Sequence, residues 1–199
     1  YQKTLINDLG AEFLATVGIG TNVIGGLNFY QPLDPAQRFF VEAGLNYIRG
    51  PLDIYENNSR VAQYTVAESE VGLWAGTNIG IMGQAKIGWV GQKRSFEREI
   101  GSLVLPDFDT SYPGWRASLA LDQMNRLHFA TRGWAAKFDY FDSSEAGFSR
   151  ADADLRGAFS LGKTVFTGRA TYAGSIRGAL PFYDAAALGN HEFNYGIDT

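Results

Sequence analysis

Between Trp134 and Leu161 the chain reads WAAKFDYFDSSEAGFSRADADLRGAFSL, and its side chains change character at nearly every step. Trp134, Ala136, Phe138 and Tyr140 alternate with Ala135, Lys137 and Asp139. After a short turn, Ala151, Ala153, Leu155, Gly157, Phe159 and Leu161 alternate with Arg150, Asp152, Asp154 and Arg156. A strand sends successive side chains to opposite faces, so this stretch predicts two strands, each with an apolar face and a charged face. Any half-buried sheet has that pattern. The apolar face here mixes small residues with large aromatics, and the polar face is crowded with charges of both signs. A soluble barrel packs its apolar face inward; a membrane barrel turns it to lipid and keeps the charges around a wet interior.

Composition narrows the choice. The chain has 199 residues, 24 glycines, 14% aromatic residues and 19% charged residues, a mixture that suits a many-stranded barrel better than a soluble α/β enzyme. A net charge of −4 argues against nucleic acid, which demands a concentrated basic face. Cysteine is absent, which excludes a disulfide framework, a thiol nucleophile and a Cys-based metal site. No apolar run approaches the ~18 residues of a spanning helix. Any membrane crossing must then be made by closed strands, because unpaired backbone groups are too costly in lipid. The chain opens in mid-pattern at YQKT and stops at GIDT, and it reads as a segment of something longer.

Alternation and turn residues predict ten strands. They are a stub near Tyr1 to Thr4, then Glu12 to Gly20, Val23 to Leu33, Arg38 to Arg49, Val61 to Gly76, Ile81 to Lys93 and Trp115 to Asp122. The two strands of Trp134 to Leu161 follow, and the last is Thr164 to Ala173. Asp34 and Pro35 mark one turn, and Gly162 and Lys163 a two-residue hairpin. Long connections at 50 to 60, 94 to 111 and 174 onward fall at one end of the strands; short ones at 34 to 37, 77 to 80 and 162 to 163 fall at the other. The connection 123 to 132 is the exception. Long loops at one rim and short turns at the other are the habit of outer-membrane barrels. Phe29, Tyr47, Trp74, Trp89, Trp115, Trp134, Tyr140 and Tyr172 stand near strand ends on the apolar face, the placement of an aromatic girdle.

The polar face is the expected functional face. On it the pattern places Glu12, Glu42, Glu68, Glu70 and Lys86, then Arg116 and Asp122, then Lys137 and Asp139. Arg150, Asp152, Asp154, Arg156 and Arg169 complete it. Mixed signs predict mutual pairing in a hydrated or plugged interior, not an ion-selective ring. No active site is expected. The nucleophile elbow G-x-S-x-G is missing, and Gly174-Ser175-Ile176-Arg177-Gly178 has the wrong spacing and reads as a loop. His128 and His191 lack partners at metal-ligand spacing. Asp107 and Asp109 read as a solvated loop, and Gly18 and Gly20 lack the rest of a phosphate-cradling motif. No cofactor and no metal are expected.

Several runs carry a family resemblance. NDLGAEF and NFYQPLDPAQRFFVEAGLNY resemble the barrel of patatin-like proteins of the type V (subclass d) autotransporter group. LALDQMNRLHFATRGW is similar to that family's Leu-Asp, polar linker with Asn, aromatic and Arg-Gly pattern. LPFYDAAALGNHEFNYGI is similar to a loop shared with the bacterial surface antigen, outer-membrane assembly and two-partner-secretion superfamily, where it folds back into the barrel; Leu188, Gly189 and Gly196 keep that motif. Asn190 stands where the second glycine is usual, Ile197 follows Gly196 where the tyrosine is usual, and the superfamily's arginine is missing. The resemblance implies an all-β, antiparallel transmembrane barrel of about sixteen strands, of which this chain supplies about ten. It implies an upstream patatin-like lipase domain with a Ser–Asp dyad and a linker domain. This segment would anchor and help export the lipase in a bacterial outer membrane, doing no chemistry itself. Its partners would be outer-membrane lipid, its own lipase domain, the assembly machinery and, for a dimeric parent, a second copy. The alternatives are an assembly or secretion transporter without a lipase, and a soluble ligand-binding barrel.

Overall fold

The computed structural model describes residues 1–56, 59–101, 108–126 and 128–181. It is all-β. The strands are β1 (Gln2–Lys3), β2 (Glu12–Gly18), β3 (Val23–Pro32), β4 (Phe39–Glu56), β5 (Ser59–Asn78), β6 (Gly83–Gly101), β7 (Phe108–Asp122), β8 (Gly133–Ser143), β9 (Phe148–Leu161) and β10 (Thr164–Arg177). They form one antiparallel sheet in sequence order. Among the described residues no helix is long and apolar enough to cross a membrane, a fact silent on strands that do.

The ten expected strands are all present, but two of the expected long loops are not loops. The fourth strand runs on through GPLDIY to Glu56, and its partner begins at Ser59; the sixth continues to Gly101 and the seventh begins at Phe108. Pro51, Asp53 and the charges of Arg94 to Glu99 looked like punctuation. Yet Gly50 and Leu52 pair with the buried Val66 and Tyr64, and Phe96 is buried two places beyond the buried Arg94, a period of two that local polarity masks. The tenth strand likewise reaches Arg177, so Ser175 lies in a bulged strand end and not in a loop. Ile81, expected to open a strand, is instead the exposed tip of a turn.

The short turns follow their residues. Gly162 takes φ +62° at the first central position of the β9–β10 hairpin, a left-handed backbone conformation that glycine adopts without strain. Asp34 builds the β3–β4 turn: its Oδ1 accepts from the backbone N–H of Arg38 at 2.8 Å and of Phe39 at 3.0 Å. The longer 123–132 connection is closed by Asn125, whose Oδ1 accepts from the N–H groups of Thr131 and Arg132 at 3.0 and 3.1 Å.

The chain divides into two compact units. The first joins Tyr1–Thr77 with Gly88–Pro113; the second joins Asn78–Ile87 with the chain from Gly114 onward.

Candidate functional site

Register shows which residues share a face, because directly paired residues point the same way. In the second unit, Ser118 pairs with Asp139 and Asp139 with Asp152; Ala120 pairs with Lys137, Lys137 with Asp154 and Asp154 with Thr171; Arg156 pairs with Arg169. Arg116, Asp122 and Arg150 keep the same parity. The expected polar residues of β7 to β10 therefore lie on one face, and most are joined. Asp139 accepts from Ser118 Oγ at 2.6 Å and lies 3.5 Å from Arg116. Arg150 reaches Asp152 at 3.1 Å. Asp154 holds both Arg156, at 3.0 Å, and Arg169. Asp122 does another job: its Oδ1 accepts the N–H of Met124 and shapes the turn. Lys86, on β6, is half-buried.

The other face of this unit is apolar and uncovered. Leu119, Phe138, Ala153 and Tyr172 form one row, and Leu121, Ala136, Leu155 and Ala170 the next. Phe138, Leu155 and Phe159 are 44%, 55% and 60% exposed. Phe159 stacks on Phe166 at 5.1 Å. Trp115 and Trp134 belong to the same face and are exposed.

In the first unit, Glu42, Glu68 and Glu70 also share one face. Asn28 Nδ2 donates to Glu42 at 2.7 Å, Gln92 Nε2 to Glu70 at 2.6 Å, and Arg94 Nε to Glu68 at 2.8 Å. Gln92 and Arg94 are buried. Arg94 was missed as a polar-face residue because it reads as the start of a loop. The period-two series Gly88, Val90, Gln92, Arg94, Phe96 would have found it.

This same face carries the buried core of the unit. Phe40, Tyr64, Val66, Trp74, Val90 and Phe96 are buried among the carboxylates. Trp74, expected in the outer girdle, pairs with Glu42 and is only 8% exposed. The indole lies across three glycines of adjacent strands. A Cβ on Gly72 would meet it at 2.0 Å, one on Gly88 at 2.5 Å and one on Gly44 at 3.2 Å. Strand alternation puts Trp74 on the polar face and Leu73 on the other, and those glycines give the large ring a flat seat there. The remaining girdle residues of this unit, Phe29, Tyr47 and Trp89, are exposed on the other face with Leu27, Leu45 and Val71.

That outer face changes along β4 and β6. Val41, Leu45 and Tyr47 give way to Arg49, and Trp89 to Lys93 and Glu97. Arg49 meets Glu97 at 3.5 Å, and Lys93 meets Asp109 at 3.7 Å. Among the described residues no group of three His, Asp or Glu gathers as a metal site. Asp107, His191 and the motif residues Leu188, Gly189 and Gly196 lie outside the described residues. Among the described residues the arrangement is a sheet that is apolar on one side and largely ion-paired on the other. No protein-family model, no curated protein and no solved structure matches this chain.

Proposed function

We propose that the chain is a stretch of a bacterial outer-membrane β-barrel. In it the apolar face meets lipid and the charged face meets water. The observation that carries this is the uncovered apolar face of β7 to β10, row after row of exposed Leu, Phe, Trp and Tyr. Exposed apolar patches beyond ~300–600 Å² are rare on soluble monomers and mark a surface that meets another apolar phase. Along β9 the apolar positions run from Ala151 to Leu161. At ~3.3 Å per residue and a tilt of ~40° they span ~25 Å, the height of the lipid-facing band of such barrels. The switch from Tyr47 to Arg49 on β4 fits the level where hydrocarbon ends.

The tryptophans supply the test. Single-Trp variants reconstituted in vesicles of brominated phospholipid should show strong quenching of Trp89, Trp115 and Trp134, and little of Trp74. Quenching of none of the four, in a chain that stays folded without detergent, would return the soluble ligand-binding barrel.

Within this reading the segment anchors an attached patatin-like phospholipase and serves its export, and the acyl-ester chemistry belongs to the upstream domain. What supports that half is the resemblance of NDLGAEF, YQPLDPAQRFFV and LALDQMNRLHFATRGW. The whole polypeptide should release fatty acid from phospholipid vesicles while this segment alone does not. A parent without esterase activity would favour an assembly or secretion transporter.

A further inference from the structure

β10 ends the sheet, and among the described residues no strand pairs with its outer edge. An exposed edge offers a row of N–H and C=O groups to another strand. The side chains of β10 specify which strand fits. Arg169 stands directly opposite Arg156, and like charges in that position destabilise a sheet. Asp154 relieves the clash by accepting from Arg156 Nε at 3.0 Å and from Arg169 Nε at 3.1 Å. Lys137, exposed, stands directly opposite Asp154 in the register, so three cations lie around this position. The face therefore carries an excess of positive charge at the edge of the sheet.

The other face carries a second mark. Gly168 stands opposite Gly157, and a Cβ built on either would meet nothing within 4 Å. Three other strand glycines lie under rings: Gly72 under Trp74, Gly91 under Trp89 and Gly114 under Phe141. The Gly157–Gly168 pair is an open seat of the same kind.

We propose that the outer edge of β10 receives an antiparallel strand that sets a carboxylate beside Arg169 and, on the opposite face one residue along, an aromatic ring over Gly168. A second copy of this chain does not supply it through its own edges. β10 contains no Asp or Glu, and neither does the opposite edge strand, Gln2–Lys3. The inference rests on the register of the sheet and not on the membrane reading.

The chain has no cysteine, so Thr167→Cys places a single thiol on the edge strand. The refolded chain is offered synthetic strand peptides carrying one cysteine in register with that thiol. One peptide has Glu facing Arg169 and Phe facing Gly168, one has Lys for the Glu, and one has Ala for the Phe. Disulfide capture should favour the Glu peptide over the Lys peptide about fivefold, and Phe over Ala by a smaller factor. Arg169→Glu should invert the charge preference, and Arg169→Gln, a milder change, should shrink it. Equal capture of Glu and Lys peptides, or an unchanged preference in both Arg169 variants, overturns the proposal. So does cross-linking of two Thr167→Cys chains in preference to the peptide. If lipid quenching of the tryptophans fails while the charge preference holds, the membrane reading falls and this one stands.

Discussion

The two units obey the same alternation and satisfy their polar faces by different physics. In the first, Glu42, Glu68 and Glu70 are each held by an amide or a guanidinium, and the space between them is filled by Phe40, Tyr64, Trp74 and Phe96. In the second, Phe141 and Phe148 are buried at one end of the face, beside Arg116 and Arg150; from Asp139 to Arg169 the described residues fill it with arginines and aspartates that neutralise one another. The first unit is thus held on this side by packing, which responds to volume and not to salt. The second, beyond its Phe141–Phe148 end, is held by charge in partial contact with solvent, which responds to salt and hardly to volume. A binary pattern of apolar and polar positions cannot distinguish the two.

The comparison can be broken most directly at Trp74. Replacing it by alanine should cost ~3–5 kcal/mol in a denaturant titration, with little dependence on salt, because the three-glycine seat is left empty. A small loss would mean that the indole does not hold the first unit together. Next in size is the opposite face of the second unit. Leu155→Arg should cost ~2–4 kcal/mol in vesicles if that position lies near the bilayer midplane. Thr171→Arg, on the polar face, should cost ~0.5 kcal/mol or less. Equal costs for the two would deny that the faces meet different media.

Gly72→Ala sharpens the first case from the other side. The added methyl meets the indole at a distance no real contact tolerates, and ~1–3 kcal/mol of overpacking should follow. Trp74→Ala should rescue it. In the second unit Asp154→Asn leaves Arg156 facing Arg169 without a carboxylate. The expected loss is only ~1 kcal/mol, because Arg156 is half exposed, and it should shrink in high salt.

The smallest effect is at the β3–β4 turn. The backbone N–H of Phe39 and the guanidinium of Arg38 hold the Asp34 carboxyl below its usual range. A carboxyl with a depressed folded-state pKa contributes its stability above the unfolded value of about 4. It loses that contribution as pH falls through the folded value. The protection factors of the Arg38 and Phe39 amides, taken against intrinsic exchange at each pH, should therefore fall in acid, and Asp34→Asn should remove that dependence.

Much of this was legible before any coordinates. The alternation of Trp134 to Leu161 placed two strands and sorted Lys137, Asp139, Asp152 and Asp154 onto one face, since a period of two is a property of the backbone and needs no partner. Gly162 and Asp34 announced their turns for equally local reasons. The errors arose where a local signal was overruled from a distance. Polar residues at 50 to 60 and 94 to 99 resemble loops, but a paired strand continues wherever its neighbour supplies hydrogen bonds.

Trp74 is the clearest case. Its position between Leu73 and Ala75 already fixed its parity; that a ring on the polar side would be buried was decided by Gly44, Gly72 and Gly88 meeting across three strands. The pairing of Asp154 with Arg169 was likewise beyond reach of the sequence, because which carboxylate meets which guanidinium depends on strand register. Which residues belong to which side is written in the order of the chain, because the pleat alternates whatever surrounds it. How each side is filled belongs to the tertiary structure, because filling depends on what neighbouring strands place opposite.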